Sequence, residues 1–271
     1  MNSPEGSVQI QLRMRLRYDG RGYRGWQRQA GAATVQGAIE AAITAVTGLD
    51  LHIRGSGRTD RGVHAQGQIA TVTLPEHIAA DGALLERFTA ALGGALPDDI
   101  GLLEVDRVPL EFHPREHAIA KRYRYEIWNG GKCPRDLEGQ VWEVRRPLDV
   151  EAMRAALHVF VGQHDFTSFA TRSNFDRTSS VRVVESFTLD QLYKQKRRVT
   201  LNITADGFLY KMVRNLVRAV AKVGEGRYDT ARLAEILAAR DRAAAPGSAP
   251  ASGLVLDEVF YRPVTDSPPL A

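Results

Sequence analysis

The chain has 271 residues, 44% hydrophobic and 25% charged, so it holds enough apolar material for a sizeable core and global disorder is excluded. Its 36 basic and 32 acidic residues leave a net charge of +4, a mild excess that permits a polyanionic partner without requiring one. The single cysteine, Cys133, rules out an internal disulfide and a cysteine-based zinc cluster, and it favours a reducing, cytoplasmic setting.

The opening MNSPEGSVQ lacks a basic start followed by an apolar run, so no secretory signal is expected. No stretch approaches the ~20 apolar residues of a membrane helix. VQIQLRMRLRY (8–18) alternates. Val8, Ile10, Leu12, Met14 and Leu16 share one face, and Gln9, Gln11, Arg13, Arg15 and Arg17 share the other. This predicts a strand with one buried and one basic face. Thr34 can cap a helix with apolar Val35, Ile39, Ile43 and Val46, and Gly48 can stop it. QIATVTL (68–74) reads as a strand, and a helix over 82–92 turns Leu84, Leu85, Phe88 and Leu92 inward. LPDDI (96–100) is a turn. KRYRYEIW (121–128) alternates again, with Tyr123, Tyr125 and Ile127 on one face. A strand is expected in QVWEVR (140–145), and a helix over 150–161, capped by Asp149 and stopped by Gly162. VRVVESFTL (181–189) and RRVTLNITA (197–205) read as a hairpin pair, with the basic run KQKRR (194–198) at their connection. Helices fit 210–223 and 230–239, and a strand closes APASGLVLDEVFY (249–261). The rhythm of strand, helix and further strands occurs twice. It predicts an α+β fold of two related halves with a largely antiparallel sheet.

Several familiar sites are missing. There is no P-loop, no dinucleotide fingerprint and no G-x-S-x-G elbow. The seven histidines show no metal-ligand spacing, and His64 and His113 read as structural. Neither a nucleotide cofactor nor a metal is expected. What stands out is GSGRTDRGVHAQGQ (55–68). In an extended stretch Arg58 and Asp60 share a face. A guanidinium beside a carboxylate favours the ionised form, which suits nucleophilic or electrostatic work. Gly55, Gly57 and Gly62 let the backbone bend and let a bulky substrate approach. A plain turn uses the same residue types.

GRTDRGVHAQGQ closely resembles the signature of the TruA-type tRNA pseudouridine synthases. Six further segments resemble that family's landmarks in order: RYDGRGYRGWQRQ, LPDDI, EFHPREHAIAKRYRY, GQHDFTSFA, ADGFLYKMVRNLV and APASGLVLDEV, together spanning about residues 12–262. The resemblance implies isomerisation of uridine to pseudouridine at positions 38, 39 and/or 40 of the tRNA anticodon stem–loop. It implies no cofactor and no metal, a cytoplasmic enzyme without membrane attachment, and a homodimer. The implied fold is α+β, the pseudouridine synthase fold, with two ferredoxin-like halves sharing a continuous, mixed, largely antiparallel sheet with helices packed on it. Its halves would be residues 8–110, carrying the catalytic loop, and 111–262, with the active-site cleft between them.

By position in these motifs Asp60 corresponds to the catalytic aspartate, Tyr123 to the active-site tyrosine, and Arg58 and Arg214 to the two active-site arginines. Arg58 is either a wedge in the space of a flipped-out base or a partner of Asp60. Without the resemblance, Tyr123 would read as core and Arg214 as the polar margin of a helix whose Val213, Leu216, Val217 and Val220 face inward. Tyr125 keeps a core role and Arg218 a surface role. Leu254 walls the pocket or fills the core. Arg21, Arg24, Arg28, Lys194, Lys196, Arg197 and Arg198 are candidates for phosphate contacts. Two departures stand out: Arg61, where the family usually has alanine, either adds a phosphate contact or faces water, and Glu116 stands where an aromatic is common. The alternative reading is a non-catalytic tRNA-binding protein or RNA chaperone on the same scaffold.

Overall fold

In the computed structural model, which describes residues 8–171, 179–191 and 197–262, the chain divides into two units. The first is Met1–Ala118 with Glu258–Ala271, and the second is Ile119–Asp257. The expected α+β class holds, with five helices and ten strands among the described residues. None of these helices is long and apolar enough to cross a membrane.

The first unit is built on β1 (Gln9–Tyr18), whose Leu12, Met14 and Leu16 are fully buried, as the alternation predicts. Val8 differs: it precedes the strand and is 64% exposed. Gln11 also differs, being buried on the polar face, where its amide donates to Pro109 O (2.9 Å) and Phe112 O (2.8 Å). β2 (Ile53–Gly55) pairs with β3 (His64–Pro75), and β3 and β4 (Ile100–Val108) flank β1, all antiparallel. α1 (Val35–Thr47) starts and stops as its sequence predicts. The Thr34 hydroxyl accepts from Gly37 N at 3.2 Å, and Gly48 takes φ 73°. α2 (Gly82–Ala95) buries Phe88 and Leu92, while Leu84 and Leu85 are only half-buried.

In the second unit β5 (Ala118–Asn129) pairs antiparallel with β9 (Arg198–Ala205), which pairs with β8 (Val181–Gln191), and β7 (Gly162–Asp165) follows at the edge. β6 (Trp142–Val144) lies parallel to β5, which makes the sheet mixed. The helix expected over 150–161 is α3 (Val150–Ala156) followed by a 3-10 turn over Leu157–Phe160. The tighter turn aligns Leu157 and Phe160, three apart, so both point into the core. α4 (Met212–Gly224) buries Val213, Leu216, Val217 and Val220, and α5 (Thr230–Ala239) buries Leu233 and Ile236. The last strand, β10 (Leu254–Tyr261), begins in this unit and ends in the first.

The alternation of β5 turns Arg122, Arg124 and Glu126 away from the face of Tyr123, Tyr125 and Ile127. Glu126 is 3% exposed, yet well satisfied. It accepts from Arg198 Nε and Thr200 Oγ1, both at 2.9 Å, and from Arg124. Arg122 and Arg124 also reach Asp257, at 3.1 and 3.4 Å. Burial alone would raise the Glu126 carboxyl, but the Arg198 and Arg124 guanidiniums outweigh it and hold it below its ordinary 4.5. The folded chain therefore binds fewer protons here than the unfolded chain. The resulting stability is present above the unfolded value and is lost as pH falls below it. Glu126→Gln is expected to cost about 2 kcal/mol at neutral pH by stranding the arginines. The gap in melting temperature should narrow as pH drops below about 4.5. A gap that stayed constant down to pH 3 would contradict this.

Candidate active site

The loop carrying Asp60 is strapped to the segment that follows β1. Trp26 N donates to Thr59 O at 3.0 Å, and Gly25 and Asp60 form an isolated antiparallel bridge. Gly25 has φ 107°, and a side chain there would bring its Cβ within 2.7 Å of Thr59 O. Gly20 is pressed harder still: a Cβ would lie 2.0 Å from Val63 O. His64 is buried, and its Nδ1 lies 3.3 Å from both Gly20 N and Asp19 Oδ1, so it is tied into this turn. The LPDDI turn ties in at Asp99, whose carboxylate accepts from the Tyr23 hydroxyl (2.6 Å) and whose carbonyl accepts from Asp19 N (2.9 Å).

Burial alternates through the loop. Arg58 is exposed, Thr59 buried and Asp60 half-buried, so Arg58 and Asp60 face outward while Thr59 faces in. Beneath them lies a buried polar chain. Ser56 Oγ donates to Gln68 Oε1 (2.7 Å), and Gln68 Nε2 donates to Gly57 O (2.9 Å) and to the Tyr18 hydroxyl (3.4 Å). Tyr18 and Thr59 share a hydrogen bond of 2.8 Å. Burial pushes the Tyr18 hydroxyl up to about 12, against the hydrogen bonds to Thr59 and Gln68, so it stays protonated at neutral pH. Gly55 proves to serve the protein's own interior. Its missing side chain is replaced by the Trp26 indole, 2.6 Å from where a Cβ would sit.

In the second unit Tyr123 is 8% exposed and packs edge-on against Phe208, with ring centres 5.0 Å apart. Arg214 and the loop before β10 hold each other: Arg214 Nε donates to Ala249 O (2.7 Å) and Ala249 N donates to Arg214 O (3.0 Å). The fully buried Tyr125 donates to Pro250 O at 2.8 Å. Burial raises the Tyr125 hydroxyl far above the tyrosine range despite Arg214 and Arg218 nearby. Leu254 is buried at the start of β10, next to Gly253, whose missing Cβ makes room for the Tyr125 ring. Arg218 is not simply solvated. It pairs with Glu225 (3.2 Å) and lies over the Trp142 ring at 5.1 Å.

The arginines expected at phosphates divide into two groups. Arg21 is forked onto Asp19, Arg28 reaches buried Glu40 at 3.1 Å, and Arg198 is committed to Glu126. Arg24 and Arg197 are exposed, and no carboxylate pairs with either among the described residues. Lys194 and Lys196 lie outside the described residues. Arg61 is exposed, and Glu116 is exposed with its backbone N donating to His113 Nδ1 at 3.2 Å.

A sequence profile described as tRNA pseudouridine synthase matches residues 15–115 and 156–262, which include Asp60, Arg58 and Arg214. The chain belongs to the tRNA pseudouridine synthase family. As a member it is an isomerase. Relatives described as tRNA pseudouridine synthase A are similar over nearly their whole length. That of Acetivibrio thermocellus is 39% identical over 92% of this chain and 99% of its own. That of Brevibacillus brevis is 41% identical over the same shares. That of Methylacidiphilum infernorum is 38% identical over 95% of this chain and 98% of its own.

Sequence reasoning missed two buried polar residues that organise this synthase's two loops. Gln68 sits at the head of an apolar strand, and Asn215 on the buried face of α4. Asn215 donates to Phe169 O (2.7 Å) and accepts from Ser248 Oγ (2.6 Å) and Arg242 (3.3 Å), so it clasps the loop that holds Arg214. A lone amide among inward-facing apolar positions is the signal that marks both. Asn215→Leu strands those partners and is expected to cost about 3 kcal/mol, readable as a lower urea midpoint.

Proposed function

We propose that the chain isomerises uridine to pseudouridine in tRNA, at one or more of positions 38, 39 and 40 of the anticodon stem–loop. It acts in the cytoplasm as a homodimer, with no cofactor or metal. The family match across both units, with Asp60 in its strapped loop, is the observation that supports this most. The target base leaves its stack at a cost of a few kcal/mol. Arg58, exposed beside Asp60, either fills the vacated space or pairs with the carboxylate.

Asp60 acts by one of two routes. It attacks C1′ of the ribose to form a glycosyl ester and release uracil, or it removes the C2′ proton to give a glycal. The freed uracil turns and its C5 bonds to C1′, displacing the Asp60 carboxylate from the ester or, on the glycal, with Asp60 returning the proton to C2′. The C5 proton is then removed to restore the aromatic ring. Tyr123 stacks on uracil or relays that proton. Arg214, held by Ala249, steadies the developing charge, and Leu254 contributes an apolar wall. Arg24 and Arg197 grip phosphates, which makes binding salt-dependent.

Transcripts of one substrate tRNA in which U38, U39 or U40 is changed singly to cytidine test the reading. Pseudouridine should disappear only at the changed position. Pseudouridine formed elsewhere in the tRNA would overturn the assignment to the anticodon stem–loop.

A further inference from the structure

We propose that Tyr18, Gln68 and Thr59 are positioning residues for Asp60. Together they form a buried hydrogen-bond chain that fixes the catalytic loop from beneath and sets the rate of the chemical step. This rests on Asp60 acting on uridine, as proposed above.

Four polar side chains lie together in an otherwise apolar interior: Ser56 and Gln68 at 0% exposure, Tyr18 at 3% and Thr59 at 6%. Polar groups are buried at a cost unless each is paired. Here each is paired with the next. Ser56 donates its proton to Gln68 Oε1. Gln68 spends its two amide protons on Gly57 O and the Tyr18 oxygen. Tyr18 receives one of these protons and shares a 2.8 Å hydrogen bond with Thr59 Oγ1, which either hydroxyl can donate. The chain ends on the two residues that flank Arg58, Gly57 and Thr59, and Thr59 is covalently joined to Asp60. Thr59 is gripped a second time, because its carbonyl accepts from Trp26 N. Its side chain and its carbonyl are thus held by different segments.

An apolar filling would close this space without hydrogen-bond demands. What the chain adds is a single geometry for residues 57–60. Reactions of this kind lose about 100-fold in rate for a misplacement near 1 Å. With the phosphate grip assigned to Arg24 and Arg197, loss of the chain should appear in kcat rather than in KM.

Thr59→Val keeps the shape and removes the hydroxyl, whereas Thr59→Ser keeps the hydroxyl. The variants are compared by tritium release from tRNA labelled at C5 of uridine, at a temperature where circular dichroism shows each to be folded. Thr59→Val and Tyr18→Phe are expected to lower kcat by about 10- to 100-fold with KM within about threefold. Thr59→Ser should stay within about threefold in both. The double variant Tyr18→Phe/Thr59→Val should be no slower than about the worse single, because both cut the same link. Folded Thr59→Val with the wild-type kcat overturns the proposal. So does Thr59→Ser as slow as Thr59→Val, or a loss confined to KM. Should Thr59→Val not fold, Tyr18→Phe and Thr59→Ser decide by the same criteria. An inactive wild type overturns the functional reading. An active Asp60→Asn would instead show that the catalytic carboxylate lies elsewhere.

Discussion

Asp60→Asn lowers the rate of uridine isomerisation by roughly 10,000-fold or more, with tRNA affinity and melting temperature close to wild type. The amide matches the carboxylate in shape, and main-chain straps that the substitution leaves in place hold this loop. These are the Gly25–Asp60 bridge, Trp26 N on Thr59 O, and Val63 N on Asp60 O at 3.1 Å. An amide neither attacks C1′ nor takes the C2′ proton, so both routes stop. Single-turnover assays with enzyme in excess read the chemical step directly. A loss smaller than about tenfold would place the reacting carboxylate elsewhere.

Gly20→Ala is expected to cost about 3 kcal/mol, seen as a melting temperature lower by about 6–12 °C. The added methyl would sit 2.0 Å from Val63 O and 2.6 Å from Val63 C, and those atoms are backbone that cannot rotate aside. Val63 must move, and it is tied to Asp60 O three residues back. The variant should therefore lose activity even at temperatures where it remains folded. Gly93→Ala is the control. It lies in α2 with nothing within 4 Å of the new carbon, and it should stabilise the chain by about 0.5–1 kcal/mol.

Elements with a clear period were legible in the sequence. Thr34 and Gly48 bracket α1 because capping chemistry is local, and α4 shows its buried stripe as an unbroken helical period. β4 was not legible. Its register slips between Arg15 and Leu16 of β1, which leaves Leu103 out of step and 46% exposed, and that breaks the alternation. β2 and β7 have only 3 and 4 residues, too few to show a period.

The site was legible unevenly. The Arg58–Thr59–Asp60 alternation follows from extended backbone alone. Tyr123 and Arg214 stood out only through the family resemblance, since their spacing alone reads as core and helix margin. The partners that commit Arg28 and Arg198 were hidden, because Glu40 and Glu126 lie 12 and 72 residues away in the chain. Gly55 invited a substrate-based explanation, and only packing reveals the indole that occupies its place.

The most direct test is tritium release to water from a tRNA transcript labelled at C5 of uridine, with chelator present and no cofactor added. Isomerisation replaces the C5–H bond with the glycosidic bond, so each pseudouridine formed releases one tritium. Wild-type protein is expected to release tritium equal to the pseudouridine formed, and Asp60→Asn none above background. Tight tRNA binding by wild-type protein with no tritium released would contradict it, and would leave an RNA-binding protein on a synthase scaffold.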